Sequence, residues 1–130
     1  MASGPFILWA EDDRQDQELI RAALDSTAGA PKVVFAEDGM RLLERMARRA
    51  PDLVVLDLKM PRMGGLEALR RLRAEPGTRH VPVVVFSSGS LPEEIARVRR
   101  LGVLAVVQKP IEFGAFVAAV QGIVRHAILA

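Results

Sequence analysis

Three acids stand together at Glu11-Asp12-Asp13, a fourth at Asp57, two hydroxyls at Ser87-Ser88 and a lysine at Lys109. Each group follows a short apolar run: Phe6–Ala10, Leu53–Leu56, Val83–Phe86 and Val103–Val107. Carboxylates held close together repel, and the repulsion falls if a cation sits among them. The available ligands are oxygens, with no cysteine and no histidine at ligand spacing, so the expected cation is hard and octahedral. That is Mg2+, with a phosphoryl oxygen as one of its ligands. A carboxylate can attack a phosphoryl group to form an acyl phosphate. A hydroxyl can then donate to one phosphoryl oxygen, and an ammonium can pair with another. Asp57, Ser87 and Lys109 are those three groups. Singly, each has a plainer role: Asp13 or Asp57 as a cap, Ser87 as a turn residue, Lys109 as a solvated end. Their joint occurrence after apolar runs favours the chemical reading.

The elements that must position them can be read around Asp57. Leu53-Val54-Val55-Leu56 is a run of four bulky apolar residues, the pattern of a strand buried on both faces of a parallel sheet. The stretch after Asp57, Leu58-Lys59-Met60-Pro61-Arg62-Met63-Gly64-Gly65, is a shaped loop. Before it come a strand at Phe6–Ala10, a helix from Arg14 to Ala28, a strand at Lys32–Ala36 and a helix from Met40 to Arg49. After it come a helix over Leu66–Ala74, a strand at Val81–Phe86, and a helix from a capping box at Ser90–Glu93 to Leu101. A strand at Val103–Val107 and a last helix from Glu112 complete the chain. Five strands alternating with five helices predict an α/β fold, a doubly wound five-stranded parallel sheet with helices on both faces. In such a sheet all strand C-termini share one rim, which brings Glu11, Asp12, Asp13, Asp57, Ser87, Ser88 and Lys109 to one edge.

At 130 residues, with half of them apolar, the chain is expected to form one domain spanning 1–130. No apolar run approaches membrane-spanning length, and no basic cluster precedes an apolar segment at the N-terminus. With no cysteine, disulfide and thiol chemistry are excluded, and a cytoplasmic protein without a membrane partner is expected. Net charge is only +2. The arginines at 41, 45, 48, 49, 70, 71 and 73 have no interleaved aromatics and read as solvated faces, so no nucleic-acid partner is expected. His80 and His126 read as surface residues.

These motifs together resemble the receiver domain of two-component response regulators. The resemblance rests on Glu11-Asp12, on Asp57 with the following loop to Gly65, on Ser87 after Val83–Phe86, and on Lys109-Pro110. It covers roughly residues 6–124 and implies the flavodoxin-like receiver fold. It implies phosphorylation of Asp57 by a sensor histidine kinase. It implies Mg2+ held by Asp12, Asp57 and the Lys59 backbone carbonyl, with Glu11 acting through water. Ser87 and Lys109 are implied on the phosphoryl group, with a cis Lys109–Pro110 bond. The short chain, Glu11-Asp12-Asp13 and the Phe113–Phe116 spacing look similar to the small regulators that partner bacterial phytochrome kinases. Two positions depart from the common pattern. Val106 stands where many members carry an aromatic, so a switch based on an aromatic rotamer is in doubt, and transmission through Ser87–Leu91 and the following helix is expected instead. Lys59, two residues after Asp57, places a cation over the phosphoryl group, so Lys59→Ala is expected to change the dephosphorylation rate.

Three function classes compete: a stand-alone receiver with no output domain, an aspartyl-phosphate phosphohydrolase, and a receiver-like binding module that does not use phosphorylation. A phosphohydrolase of this kind usually has an acid two residues after its nucleophile; Lys59 occupies that place, and at most slow self-hydrolysis is expected. Phe113, Phe116, Val117, Val120 and Val124 of the last helix supply an inward stripe. Ala115, Ala118, Ala119 and Gly122 then face elsewhere, Ile123, Ile128 and Leu129 add apolar surface towards the end, and a homodimer through this helix is expected.

Overall fold

The computed structural model of the chain describes residues 5–129, with side-chain surroundings described as far as residue 125. His126 and the C-terminal Ile128 and Leu129 therefore lie outside the described side chains. Five strands and five helices alternate: β1 (Phe6–Ala10), α1 (Arg14–Asp25), β2 (Lys32–Ala36), α2 (Gly39–Arg48), β3 (Leu53–Leu56), α3 (Gly65–Ala74), β4 (Val83–Ser87), α4 (Pro92–Arg100), β5 (Ala105–Gln108) and α5 (Phe113–Leu129). All strand pairs are parallel, in the order β2-β1-β3-β4-β5. This is the flavodoxin-like, doubly wound fold that the sequence predicts.

The inner strands are apolar on both faces because both are covered. Leu8, Ala10, Val54, Leu56, Val83 and Val85 pack with Leu42, Met46, Leu69, Leu72 and Val98 of α2, α3 and α4. The alternate residues Ile7, Trp9, Leu53, Val55, Val84 and Phe86 pack with Ile20, Ala23, Phe116, Val120, Ile123 and Val124 of α1 and α5. Trp9, Phe86 and Phe116 form an edge-to-face chain, with centroids 6.0 and 5.3 Å apart, a geometry that aromatic rings prefer.

Several ends differ from the sequence reading. α1 stops at Asp25, since Ser26 and Thr27 both donate their hydroxyls to the Ala23 carbonyl. β4 begins at Val83 rather than Val81, after Pro82, which has no N–H for a ladder. β5 likewise begins at Ala105 rather than Val103. The Ser90–Glu93 capping box does not form: Leu91 is the N-cap of α4, Pro92 takes the first turn, and the Ser90 hydroxyl turns to Ser87. The Lys109–Pro110 bond is trans, as are all described peptide bonds, in keeping with a trans preference of about 0.5–1 kcal/mol even before proline.

In α5 the inward stripe is Phe116, Val120, Ile123 and Val124, while Phe113 is 60% exposed. Glu112 caps the helix by accepting from the amides of Gly114 and Ala115. The helix therefore starts at Phe113. Arg73 is not a solvated side chain. Its guanidinium donates to the carbonyls of Leu101, Arg79, Val81 and Gly102, tying α3 to the end of α4 and to the loop before β4.

Candidate functional site

The order β2-β1-β3-β4-β5 reverses direction at β1, so a crevice opens between the C-terminal ends of β1 and β3. Ladder hydrogen bonds continue past both strands. The Glu11 amide donates to the Ala36 carbonyl at 2.9 Å, and the Asp57 amide to the Ala10 carbonyl at 3.1 Å. Each acid is thus fixed by its backbone at the crevice floor. Gly65, the first residue of α3, holds Asp57 from above: a Cβ there would stand 2.3 Å from the Asp57 carbonyl oxygen, a contact only glycine permits.

The Asp57 carboxylate is buried and fully engaged. Oδ1 accepts from the Ser87 hydroxyl at 2.8 Å and from the Lys59 amide at 3.2 Å. Oδ2 accepts from Lys109 Nζ at 2.9 Å. Lys109 Nζ also donates to Asp16 Oδ2 at 2.8 Å and lies 2.7 Å from Glu11 Oε1. One ammonium thus neutralises part of a four-carboxylate cluster: Glu11, Asp12, Asp16 and Asp57. Burial works against the Lys109 charge, but the hydrogen bonds to Asp16 and Asp57 and the ion pair with Glu11 outweigh it and hold its pKa above the usual lysine range.

Glu11 is completely buried. Burial pushes its pKa up to about 7, although the Lys109 ammonium and the Asp13 amide, which donates to Oε2, pull it the other way. Its Oε1 makes the ion pair with Lys109 off the angle of a hydrogen bond, and no donor satisfies it. Carboxylate oxygens of Glu11, Asp12 and Asp57 come within 4.8 Å of one another. An unsatisfied buried oxygen among three converging carboxylates fits a hard divalent cation. Asp13 is set apart, because its side chain caps α1 through the Asp16 amide.

The structure therefore gathers Glu11, Asp12, Asp57, Ser87 and Lys109 at one rim. It adds Asp16, which the sequence reading missed. Asp16 lies in the first turn of α1, three residues after its cap, where an acid looks like a partner of the helix dipole. The signal was that a helix leaving β1 must start over the same rim. Lys59 is exposed, and its Nζ reaches across to Gly89, within 2.9 Å of where a side chain would begin there. Behind Ser87 is a hollow of about 270 Å3, lined by Ser87, Gly89, Ser90, Ile95, Val106 and Gln108.

Residues 7–121 match the family model of the response regulator receiver domain. The chain belongs to that family. This receiver is 38% identical over 106 residues to protein-glutamate methylesterase/protein-glutamine glutaminase 5 of Anaeromyxobacter dehalogenans, covering 80% of the chain and 28% of that relative. The receiver thus spans well under a third of that relative's length. Among solved structures it superposes on the phosphorylated cyanobacterial phytochrome response regulator RcpA with a TM-score of 0.88 and 27% identity, covering 97% of this chain and 95% of that one. It is 36% identical to the bacteriophytochrome response regulator AtBRR, with a TM-score of 0.74 and 92% of each chain covered. It is a receiver of the phosphorylatable-aspartate type, and among the described residues no helix is long and apolar enough to cross a membrane.

Proposed function

We propose that the chain is a response regulator receiver that accepts a phosphoryl group on Asp57 from a sensor histidine kinase and signals through changed protein contacts. The observation that carries this is the state of the Asp57 carboxylate. It is a buried nucleophile met by a hydroxyl, a backbone amide and an ammonium. A carboxylate oxygen of Asp57 forms the new O–P bond as the P–N bond of the donor phosphohistidine breaks, and the imidazole keeps the electron pair. The Ser87 hydroxyl transfers from Oδ1 to a phosphoryl oxygen, and Lys109 pairs with another. Mg2+ is the proposed cofactor, held by Asp12, Asp57 and the Lys59 backbone carbonyl, with Glu11 acting through water. It supplies the positive charge that lets an anionic phosphoryl group approach an acidic site.

The similarity to RcpA and AtBRR supports a kinase of the bacterial phytochrome type as the partner. The exposed small residues Ala115 and Ala118 of α5 support a homodimer through that helix. A receiver domain acting in the cytoplasm completes the proposal.

The test is intact mass after incubation with a small-molecule phosphodonor and Mg2+. A base-labile gain of one phosphoryl group is expected, lost without Mg2+ and lost in Asp57→Asn. No gain from the small donor, followed by none from a histidine kinase, would leave a binding module that does not use phosphorylation. Lys59→Ala is expected to shorten the phosphoryl lifetime several-fold, since it removes a cation that stands beside Gly89, two residues after Ser87, at the rim of the site. Decay of the phosphorylated mass after donor removal measures this.

A further inference from the structure

The loop from Leu58 to Gly64 follows Asp57 and contains Lys59, whose amide already binds Asp57 Oδ1. It is pinned at two places. At its far end the Gly65 amide donates back to the Leu58 carbonyl at 3.0 Å. In its middle the chain turns through Arg62 at a φ of 63°, the only left-handed non-glycine residue among those described. A side chain in that region is sterically disfavoured and persists only where its surroundings hold it. What holds it is Asp38, the N-cap of α2.

Asp38 is completely buried, and its two oxygens are divided between two tasks. Oδ1 caps α2 by accepting from the Arg41 amide at 2.8 Å. Oδ2 accepts from Arg62 Nε at 2.8 Å and also from Arg62 Nη2. Beside this pair the Gly39 amide donates to the Met63 carbonyl at 3.0 Å. The two backbones approach so closely that a Cβ on Gly39 would stand 2.7 Å from that oxygen. The start of α2 is thereby fastened to the loop two and three residues beyond Met60. None of these groups touches Asp57.

We propose that the Asp38–Arg62 pair is a latch that positions the Leu58–Gly64 loop and so sets the affinity of the acidic site for a divalent cation. The inference rests on the receiver reading, in which the Lys59 carbonyl is one of the cation's ligands. Arg62 is a positioning residue, acting through the loop. Its guanidinium is largely exposed, so substitution leaves the core intact. With the latch broken, the left-handed turn has lost its partner, and the loop samples conformations that carry the Lys59 carbonyl away from the acids.

The experiment is Mg2+ binding by calorimetry to the full chain, with global stability of each variant read by urea denaturation. Arg62→Gln is expected to weaken Mg2+ binding about tenfold, roughly 1.4 kcal/mol by the standard conversion. Arg62→Lys, which keeps the charge, recovers part of the loss. Asp38→Asn keeps a capping oxygen and loses the charge, and the double variant Asp38→Asn/Arg62→Gln should bind no worse than the weaker single one. Arg70→Gln, which removes an exposed pair with Glu67, is the control and leaves binding unchanged. Wild-type binding with an unaltered Arg62→Gln affinity overturns the latch and leaves the receiver reading standing. Additive losses in the double variant also overturn it. Failure of the wild type to bind Mg2+ overturns the cation site and the latch together.

Discussion

Lys109→Met is expected to cost the metal-free protein about 3 kcal/mol of stability at pH 8, the low end for removing one partner of a buried ion pair. The Lys109 side chain is 9% exposed and faces three carboxylates, of which Glu11 and Asp57 are nearly or completely buried. Methionine fills much of the same volume, so the loss is electrostatic rather than a cavity effect. Asp16 is 24% exposed, and solvent there moderates the cost. Two modulations separate this account from a packing defect. Added Mg2+ should recover part of the loss, because a bound cation replaces the missing charge. Lowering the pH to about 5.5 should also recover part, because Glu11 can then take up a proton. Urea denaturation with and without Mg2+ at the two pH values measures all of this. A loss that ignores both would assign Lys109 a packing role only.

The second large effect is in pH. Glu11 has a folded pKa of about 7 against an ordinary 4.5, raised by burial. Between those values the folded state holds a proton that the unfolded chain has released. The metal-free protein therefore loses stability as pH rises from about 4.5 to about 7, by up to about 3 kcal/mol. A divalent cation needs the ionised carboxylate, so its binding follows the opposite slope. Mg2+ affinity is expected to fall roughly tenfold between pH 7.5 and pH 6 and to be level above pH 8. Calorimetric titrations in two buffers of different ionisation heat would also show proton release on binding at pH 6.5. Glu11→Gln should bind Mg2+ more weakly, with a much flatter dependence over this interval. A wild-type affinity that does not change between pH 6 and 7.5 would show that Glu11 is already ionised in the folded protein.

What could be read from the sequence was what depends on composition along the chain. The runs at Phe6–Ala10, Leu53–Leu56 and Val83–Phe86 are apolar without alternation because helices cover both faces, so the parallel sheet was plain. Strand ends alone place Glu11, Asp12, Asp57, Ser87 and Lys109 on one rim. What escaped were contacts set by three-dimensional approach. Asp16 looks like any first-turn acid until α1 is seen to return over Lys109. Arg73 looks solvated until its guanidinium meets four carbonyl groups that lie six to twenty-nine residues away. The strained turn at Arg62 leaves no trace in its residue type, since arginine has no preference for that conformation. The Ser90–Glu93 spacing misled for a different reason: Pro92 is pre-shaped for the first turn and shifts the cap to Leu91.

The charges of the rim are assembled out of balance in time. Asp57 precedes Lys109 by 52 residues and Asp16 precedes it by 93. On a ribosome, β1 and β3 leave the exit tunnel with their acids long before the lysine that neutralises them is made. A nascent chain that ends within β4 has every carboxylate of the cluster and none of its compensating ammonium, so closing the crevice then means burying like charges together. The rim is therefore the part of the sheet that stays open until the fifth strand is synthesised, unless a cation from solution takes its place. The residue that neutralises the acidic pocket thus arrives with the last strand, so closure of that pocket is expected late in synthesis.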